Sequence, residues 1–384
     1  MKKSKKSAAN AAADPKTGIT SVVPVSAEVV ANSPGPWEKP VDGQVLLADI
    51  VRHLRAYMSI SRPAAIAVAL WILYSYTYNE FRISPILGVV SPTRRCGKTT
   101  LLTIIGFLGQ RVLSTARITA AAIYRAMSDY EPTLIVDEID SFLGKRNDLR
   151  GILNSGHARE TAYVVLTVGK RAVQYTTWGP KVLAQIGSLP STLEDRSVVV
   201  QLRRKAPHEK VKKLGVDSQV EFEPLARKIA RWAEDNARHL AAMNPSVPDK
   251  LHDRAADNWF PLLAIAERIG GQWPSRAREA ALQLSDPGAA QNSAHGEMLL
   301  QDIQGILREK DAKVIESAKL VAALGEMEDR PWPTLFSGRT ITKARLAALL
   351  RPFGIAPKLL RVGEMVFRGY VAADFKDAFE RYAV

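Results

Sequence analysis

The chain has 384 residues, 46% of them hydrophobic and 24% charged, which are ordinary values for a globular protein of two or three domains. Its formal net charge of +14 is not ordinary, and such an excess favours a polyanionic partner, most commonly nucleic acid. The single cysteine, Cys96, excludes a disulfide framework and favours a reducing, cytoplasmic location.

The N-terminal 40 residues are predicted to be a disordered basic leader. They begin MKKSKK and then mix Ala, Ser and Pro without periodicity and without the apolar segment of a secretory signal. From Val45, VLLADIVRHLRAYM has the apolar spacing of an amphipathic helix. The longest apolar run, residues 64–78, is shorter than the roughly 20 residues that span a bilayer. It therefore predicts a buried helix and no membrane association.

SPTRRCGKTT, residues 91–100, is the first stretch that carries chemistry. We interpret it as a degenerate phosphate-binding loop of the pattern G-x-x-x-x-G-K-[ST], with Ser91 in place of the first glycine. The residues before it predict a buried strand and those after it a helix, the context that such a loop requires. Backbone N–H groups at that helix N-terminus would converge on phosphate oxygens. The residues predicted to bind ATP are Gly97, Lys98, Thr99 and Thr100.

PTLIVDEID, residues 132–140, predicts a second buried strand, and this one ends in acids. We expect Asp137 to hold Mg²⁺ together with the Thr99 hydroxyl, and Glu138 to orient and deprotonate the attacking water. The alternative is a strand end with two solvated carboxylates. Two such motifs in this order, each on a strand, indicate an enzyme that hydrolyses ATP.

A β-hairpin with a basic tip is predicted further along the chain. NDLRGILNSG first predicts a short helix, and TAYVVLTV and RAVQYTTW then predict two strands joined through Gly169 and Lys170. Lys170 and Arg171 lie at the tip of this hairpin. KVLAQIG predicts the next strand. The alternative to a functional hairpin is a plain surface hairpin.

SLPSTLEDRSVVVQL resembles the arginine-finger segment of AAA+ motors, and Arg196 matches its arginine. By this resemblance Arg196 reaches the γ-phosphate of ATP held by a neighbouring subunit, which implies a ring. The alternative is a surface salt bridge with Glu194 or Asp195. The helix that begins in LHDRAADNWFPLLAIAERIGG resembles part of the AAA+ lid, with Arg254 as its sensor-2 arginine.

Two other roles follow from the same resemblance. The sensor-1 residue is either Gln185 or Ser188. Gln185 lies near the end of the predicted strand KVLAQIG, and Ser188 follows that strand directly. The basic hairpin resembles the pre-sensor-1 hairpin of superfamily 3 and replicative ring helicases, which projects basic tips into the central pore. In a ring, those tips would suit a phosphate backbone.

In the C-terminal hundred residues, VIESAKLVAALGEM and TKARLAALLRPFGI predict two helices, and LLRVGEMVFRGYVAADF predicts a β-wing. This is the order of a winged helix. From Arg339 to Arg368 this unit has seven basic residues and one acid, Glu364, which favours DNA binding over protein docking. The residues predicted to contact DNA are Lys170, Arg171, Lys343, Arg345, Lys358, Arg361 and Arg368.

Together these segments resemble a family of bacterial proteins from plasmids, prophages and integrative elements, often beside or fused to primase-like domains. The resemblance implies an α/β P-loop AAA+ core over 41–206, a helical lid over 207–284 and a winged-helix-like domain over 285–384. It also implies a hexamer or other ring, ATP and Mg²⁺, and single-stranded or forked DNA. We expect a replicative helicase. The alternatives are a DNA-binding switch or loader, or a defence or maintenance ATPase, without unwinding.

Overall fold

The computed structural model describes residues 35–139, 147–285, 296–309, 311–327, 330–333 and 340–382. Most of the expected leader, the end of the acidic motif at Asp140, most of the expected linker before residue 296, and Arg339 lie outside the described residues.

Two helices precede the sheet: α1 (Gly43–Tyr57) and α2 (Arg62–Thr77). Side-chain oxygens cap both N-termini: Asp42 accepts from the first backbone N–H groups of α1, and Ser61 accepts from Ala64 in α2. Helix α2 is buried along almost its whole length, as its continuous apolar run predicted. Within the described residues, no helix combines the length and apolarity that a membrane crossing needs.

The next part of the chain alternates strands and helices and includes a five-stranded parallel sheet, which confirms the expected α/β class. In chain order the elements are β1 (Ile86–Ser91), α3 (Lys98–Leu108), β2 (Val112–Thr115), α4 (Ala120–Tyr130), β3 (Thr133–Val136), α5 (Asn147–Ser155), β4 (Tyr163–Val168), β5 (Arg171–Thr176), β6 (Lys181–Ile186), α6 (Ser191–Glu194) and β7 (Ser197–Gln201). The sheet has the order β2-β3-β6-β1-β7, while β4 and β5 form a separate antiparallel hairpin.

Three helices follow the sheet, and a smaller unit of helices and short strands ends the chain. Its three strands form an antiparallel sheet of order β8-β10-β9. The elements are α7 (Ser218–Leu240), α8 (Asp253–Ile269), α9 (Trp273–Leu284), α10 (Gly296–Glu309), β8 (Val314–Glu316), α11 (Ser317–Gly325), α12 (Lys343–Leu350), β9 (Lys358–Val362), β10 (Met365–Val371) and α13 (Lys376–Tyr382). Short 3₁₀ turns cover Tyr78–Glu80, Arg159–Thr161, Arg351–Phe353 and Ala372–Phe375.

The C-terminal unit differs from its predicted elements in two places. Val314, Ile315 and Glu316 were expected to begin a helix, but they form β8 because they pair with β10. Helices α10 and α13 were not predicted. Both belong to the packing of this unit, since they contact each other and bury Leu299, Ile303 and Tyr382.

Buried apolar clusters cover both faces of the parallel sheet. One cluster continues from α1 and α2 through the sheet to α8 and into the C-terminal unit. The other includes Ile123 of α4, Leu134 of β3 and Leu153 of α5. With both faces covered, the residues that can reach a ligand are those at the two edges where strands begin and end.

Candidate nucleotide-binding site

Residues 91–98, the predicted phosphate-binding loop and called the phosphate loop below, connect β1 to α3. Gly97 takes a left-handed conformation, φ +85°, immediately before the first helical residue, and this conformation favours glycine. The Lys98 ammonium folds back over the loop and donates to Ser91 Oγ at 2.9 Å. The helix therefore begins where a phosphate would meet free backbone N–H groups, with a lysine beside them.

The assignment of Ser91 to the place of the first glycine is wrong by one residue. Five residues before Gly97 stands Pro92, so proline occupies that place in the pattern. Ser91 is the last residue of β1, is buried, and donates its hydroxyl to the Thr93 carbonyl at 2.8 Å while accepting from Lys98. Its role in this structure is to hold the lysine.

The acidic motif lies directly after β3. The backbone N–H of Asp137 donates to the Thr115 carbonyl at 3.1 Å, which continues the pairing of β3 with β2. Glu138 has a positive φ of 51°, unusual for a residue with a side chain, and its N–H donates to Asp137 Oδ1 at 2.8 Å. Glu138 is exposed and Asp137 is partly buried. Such local backbone strain is concentrated at functional sites.

Parallel pairing brings the loop and the acids to the same edge of the sheet. Strand β6 lies between β1 and β3, with Ser91 level with Ile186 and Val136 level with Leu183. At about 4.8 Å per strand, the loop strand and the acidic strand are roughly 10 Å apart. The strands β2, β3 and β6 lie on one side of β1, and the chain then crosses to β7 on its other side. Ligands of such sheets usually bind at this switch point.

A cavity of about 790 Å³ opens at this edge, and both predicted Mg²⁺ ligands line it. Thr99 and Asp137 contribute to its wall together with Thr115, and Gln219 and Glu223 of α7 lie on it as well. A hydroxyl and a carboxylate that share one cavity are suitable oxygen ligands for Mg²⁺ completed by water and phosphate. Thr99 and Asp137 therefore fit a bound magnesium ion, whereas Gly97, Lys98 and Glu138 are not among the residues that line this cavity.

Both sensor-1 candidates lie near the carboxyl end of β6, between the loop and the acids. Gln185 is buried and its amide donates to the Ser188 carbonyl, so the two residues are direct neighbours. The structure places both residues at this end of β6 and favours neither of them as sensor 1.

Arg196 lies at the opposite edge of the sheet. It immediately precedes β7, and its carbonyl accepts from the Ile86 N–H at the start of β1, at 3.0 Å. Since a strand rises about 3.3 Å per residue, the five residues of β7 place Arg196 roughly 16 Å from the carboxyl edge. Its guanidinium donates to the Thr192 carbonyl at 2.8 Å and not to either neighbouring acid. It cannot reach the phosphate loop of its own chain.

Arg254 also lies at this edge, at the start of α8. Its Nε is 3.8 Å from Asp195 Oδ2, in a half-exposed ion pair. A sensor that reads the nucleotide of its own chain would have to lie at the other edge. In this chain Arg254 lies beside Arg196, at the edge of the sheet opposite Lys98, and its sensor-2 role stays a prediction.

A buried polar pair that the sequence reasoning missed holds the Arg196 turn. Asn258 of α8 accepts from His157 Nε2 at 2.7 Å, and its amide donates to the carbonyls of Asp195 at 3.0 Å and Ser197 at 3.5 Å. Because the amide donates to two carbonyls, its oxygen is the acceptor and the imidazole proton is on Nε2. Burial lowers the pKa of His157, and Arg196 lowers it further, so the imidazole is neutral.

The hairpin residues are placed as predicted, in an antiparallel pair with Val168 level with Arg171. Gly169 has φ +63° in the turn, and both Lys170 and Arg171 are exposed. Arg171 is the first residue of β5, so Lys170 is the residue at the tip itself.

The basic residues of the C-terminal unit separate into smaller groups. Cross-strand pairing puts Arg361 and Arg368 on one face of the β9–β10 ribbon, where both are exposed. Lys358 is on the other face, and its ammonium lies 2.7 Å from the carboxylate of Asp374. Asp374 lies after Arg368, outside the range in which the basic residues were counted. Lys343 and Arg345 are exposed in the first turn of α12.

Comparison with known proteins gives a family match for the C-terminal half. Residues 201–382 match a family described as "Protein of unknown function (DUF3631)". Over 163 residues, 41% of this chain, the sequence is 34% identical to an "Uncharacterized 28.9 kDa protein in xis 5'region" of Saccharopolyspora erythraea. That alignment covers 59% of the relative, so the chain spans less than two thirds of its length.

Two solved structures were also compared. "The A form apo structure of NrS-1 C terminal region-CTR" is 12% identical, with a TM-score of 0.32, over 89% of this chain and 78% of that chain. The structure of residues 305–718 of the same region is 11% identical, with a TM-score of 0.31, over 89% and 77% of the two chains. The family match begins at Gln201, the last residue of β7, and ends at Tyr382, the last residue of α13.

Proposed function

We propose that this chain is a P-loop ATPase of the AAA+ type that assembles into a ring and acts on DNA, as a replicative helicase of a mobile genetic element. The observation that carries the proposal is the division of charged residues between the two edges of the sheet. Lys98 and Asp137 lie at the carboxyl edge, and Arg196 lies at the other. A complete site with an arginine finger then needs two copies of the chain.

In this proposal each residue at the carboxyl edge has one task. The α3 N-terminus and Lys98 bind the phosphates, and Thr99 and Asp137 hold Mg²⁺, which neutralises phosphate charge when bound. Glu138 is exposed directly after Asp137 and takes a proton from the attacking water. The Ser91 hydroxyl already holds the lysine at the loop.

Arg196 and Arg254 would complete the site of the neighbouring subunit. Arg196 would stabilise charge on the transferred phosphoryl group, a contribution worth about 10³–10⁵ in rate in other phosphoryl-transfer enzymes. Both arginines lie on one side of the chain, beside Asp195. This arrangement supports a ring in which every subunit offers its arginine edge to the next.

Several features support DNA as the substrate. The net charge is +14, the hairpin tip offers exposed Lys170 and Arg171, and the β9–β10 ribbon offers Arg361 and Arg368 on one face. Helices α11 and α12 with this ribbon support a winged-helix-like unit. The curated relative is named for its position upstream of xis, which fits a mobile element.

The first experiment tests hydrolysis with three variants. We expect Lys98→Ala to lose nucleotide binding, and Glu138→Gln to bind ATP but release no phosphate. Asp129→Asn, which neutralises an exposed acid on α4, is the matched control and should resemble the wild type. Equal phosphate release by all four proteins would show that the site is misassigned.

The second experiment separates a motor from a switch. Strand displacement on forked DNA with ATP, together with the mass of the nucleotide-bound protein, should show unwinding by a ring. Turnover without unwinding would instead favour the loader or switch. Normal turnover by an isolated monomer would rule out the ring mechanism.

A further inference from the structure

The C-terminal helix α13 is bound to the segment that follows β7 through an ion cluster around one buried arginine. Arg381 is 3% exposed, and its guanidinium donates to Glu209 at 2.7 and 2.9 Å and to Asp377 at 2.8 Å. These bonds raise the pKa of Arg381 and lower that of Glu209, so both remain charged. A buried charge is tolerated only when it is paired this well, because its desolvation costs several kcal/mol.

The same helix holds Arg204. The Arg204 carbonyl accepts from Arg381 at 2.8 Å, and its N–H donates to the Tyr382 hydroxyl at 3.0 Å. The Arg204 guanidinium lies over the Tyr382 ring, 5.7 Å from its centroid. Tyr382 is buried and packs edge-on against Phe353 of the C-terminal unit at 5.0 Å. Backbone and side chain of Arg204 are thus both held by the end of the chain.

Arg204 in turn contacts the phosphate loop. Its Nη2 donates to the Arg94 carbonyl at 3.4 Å. The Cys96 thiol, inside the loop and buried, lies 3.7 Å from that same carbonyl oxygen. Since Leu202 pairs with Val90 at the carboxyl end of β1, Arg204 lies at the nucleotide edge of the sheet.

The ion cluster also reaches the segment between α1 and α2. Ser59 donates to Glu209 Oε2 at 2.7 Å and accepts from Arg381 at 3.4 Å. Its neighbour Met58 is buried, and its methyl group lies 3.5 Å from where a Cβ would stand on Gly97. The loop is therefore flanked at two places, near Arg94 by Arg204 and at Gly97 by Met58, the chain neighbour of Ser59.

We propose that Arg204 is a positioning residue for the phosphate loop, and that the C-terminal helix sets the loop geometry by holding Arg204 through Tyr382 and Arg381. The C-terminal unit is then part of the nucleotide site, and not only a module for DNA. The effect of this positioning on nucleotide affinity rests on the proposed function. Both residues lie at the ends of the family match: Arg204 is close to its first residue, and Tyr382 is its last.

The test uses the only cysteine of the chain as a reporter of loop position. Cys96 is buried beside the Arg94 carbonyl, so a thiol reagent modifies it only when the loop opens. In the full-length protein without nucleotide, we expect Arg204→Ala and Tyr382→Ala to raise the labelling rate about tenfold. The first removes the guanidinium bond to the Arg94 carbonyl, and the second removes the ring and the hydroxyl that hold Arg204. Tyr382→Phe, which keeps the ring and removes one bond, should raise the rate about two- to threefold. The control Lys210→Ala, an exposed lysine beside Glu209, should label at the wild-type rate.

A second measurement connects loop position to the nucleotide. The dissociation constant of a non-hydrolysable ATP analogue should rise about tenfold for Arg204→Ala and Tyr382→Ala, a loss of about 1.4 kcal/mol. Arg204→Lys should not restore affinity, because an ammonium lacks the planar group that spans both the Tyr382 ring and the loop carbonyl.

The outcomes separate this inference from the proposed function. Unchanged Cys96 labelling in both alanine variants overturns the inference, whether or not the wild type binds nucleotide. Faster labelling in a protein that binds no ATP analogue supports the positioning role and refutes the ATPase. Faster labelling with unchanged nucleotide affinity overturns the claim that the C-terminal unit belongs to the nucleotide site.

Discussion

Replacing Asn258 by alanine should loosen the turn that carries Arg196. The side chain is 2% exposed and joins three parts of the chain: His157 after α5, the Asp195 and Ser197 carbonyls on each side of Arg196, and α8 itself. Alanine removes all three bonds without adding bulk. The His157 N–H then loses its acceptor in a buried environment.

The expected cost follows from these contacts. A buried donor left without a partner costs about 1–3 kcal/mol, and a typical intramolecular hydrogen bond contributes about 1 kcal/mol. With one imidazole N–H and two carbonyls affected, the free energy of unfolding should fall by about 3 kcal/mol. For a domain of about 150–250 residues, a loss of that magnitude lowers the unfolding midpoint by roughly 6–12 °C.

Calorimetry of Asn258→Ala measures the stability, and steady-state kinetics measure the effect on Arg196. Turnover should fall while the affinity for an ATP analogue is retained, because the loop lies at the other edge of the sheet. Asp257→Ala, an exposed neighbour on the same helix, is the control for both measurements. A midpoint within about 1 °C of the wild type, or unchanged turnover, would refute the reasoning.

Three further predictions concern other parts of the chain. Burial lowers the pKa of Lys181 to about 7, and its ammonium donates to backbone carbonyls, those of Thr177 and Gly179 among them. The unfolded chain therefore binds more protons between about pH 7 and pH 10, so stability should rise with pH across that window and Lys181→Met should flatten the rise. Changing Lys170 and Arg171 to alanine should preserve nucleotide affinity but remove DNA-stimulated turnover and unwinding. Changing Arg361 and Arg368 to alanine should reduce the salt slope of DNA binding by about 0.9 per lost phosphate contact, whereas an unchanged slope would argue that this face does not touch DNA.

Some features of the candidate site were visible in the sequence because they depend on neighbouring residues. Gly97 and Lys98 are adjacent, so the turn, the helix start and the cation follow from local chain geometry. Asp137 follows an apolar run that predicted a short buried strand, and its place at the strand end follows from that. The hairpin and its tip were predicted for the same reason, since alternation and a glycine turn are local signals.

Contacts between distant residues were decided by the tertiary structure. His157 and Asn258 are 101 residues apart, and Arg204 and Tyr382 are 178 apart, so no periodicity or spacing connects them. Arg254 shows the same limit: the start of its helix was predicted, but the edge of the sheet that it faces depends on the order of the strands.

The physical reason is the range of the forces involved. Helix and strand periodicity, caps and turn residues act within a few positions of the chain. The sequence alone therefore determined the turn and helix start at Gly97, the acidic strand and the buried helix α2. Which strands become neighbours, and where the C-terminal helix comes to lie, is decided only when distant apolar faces are buried together and buried charges find partners. Arg381 illustrates this, because it is an ordinary arginine in the sequence and becomes a buried link between α13 and the Arg204 carbonyl only in the folded chain.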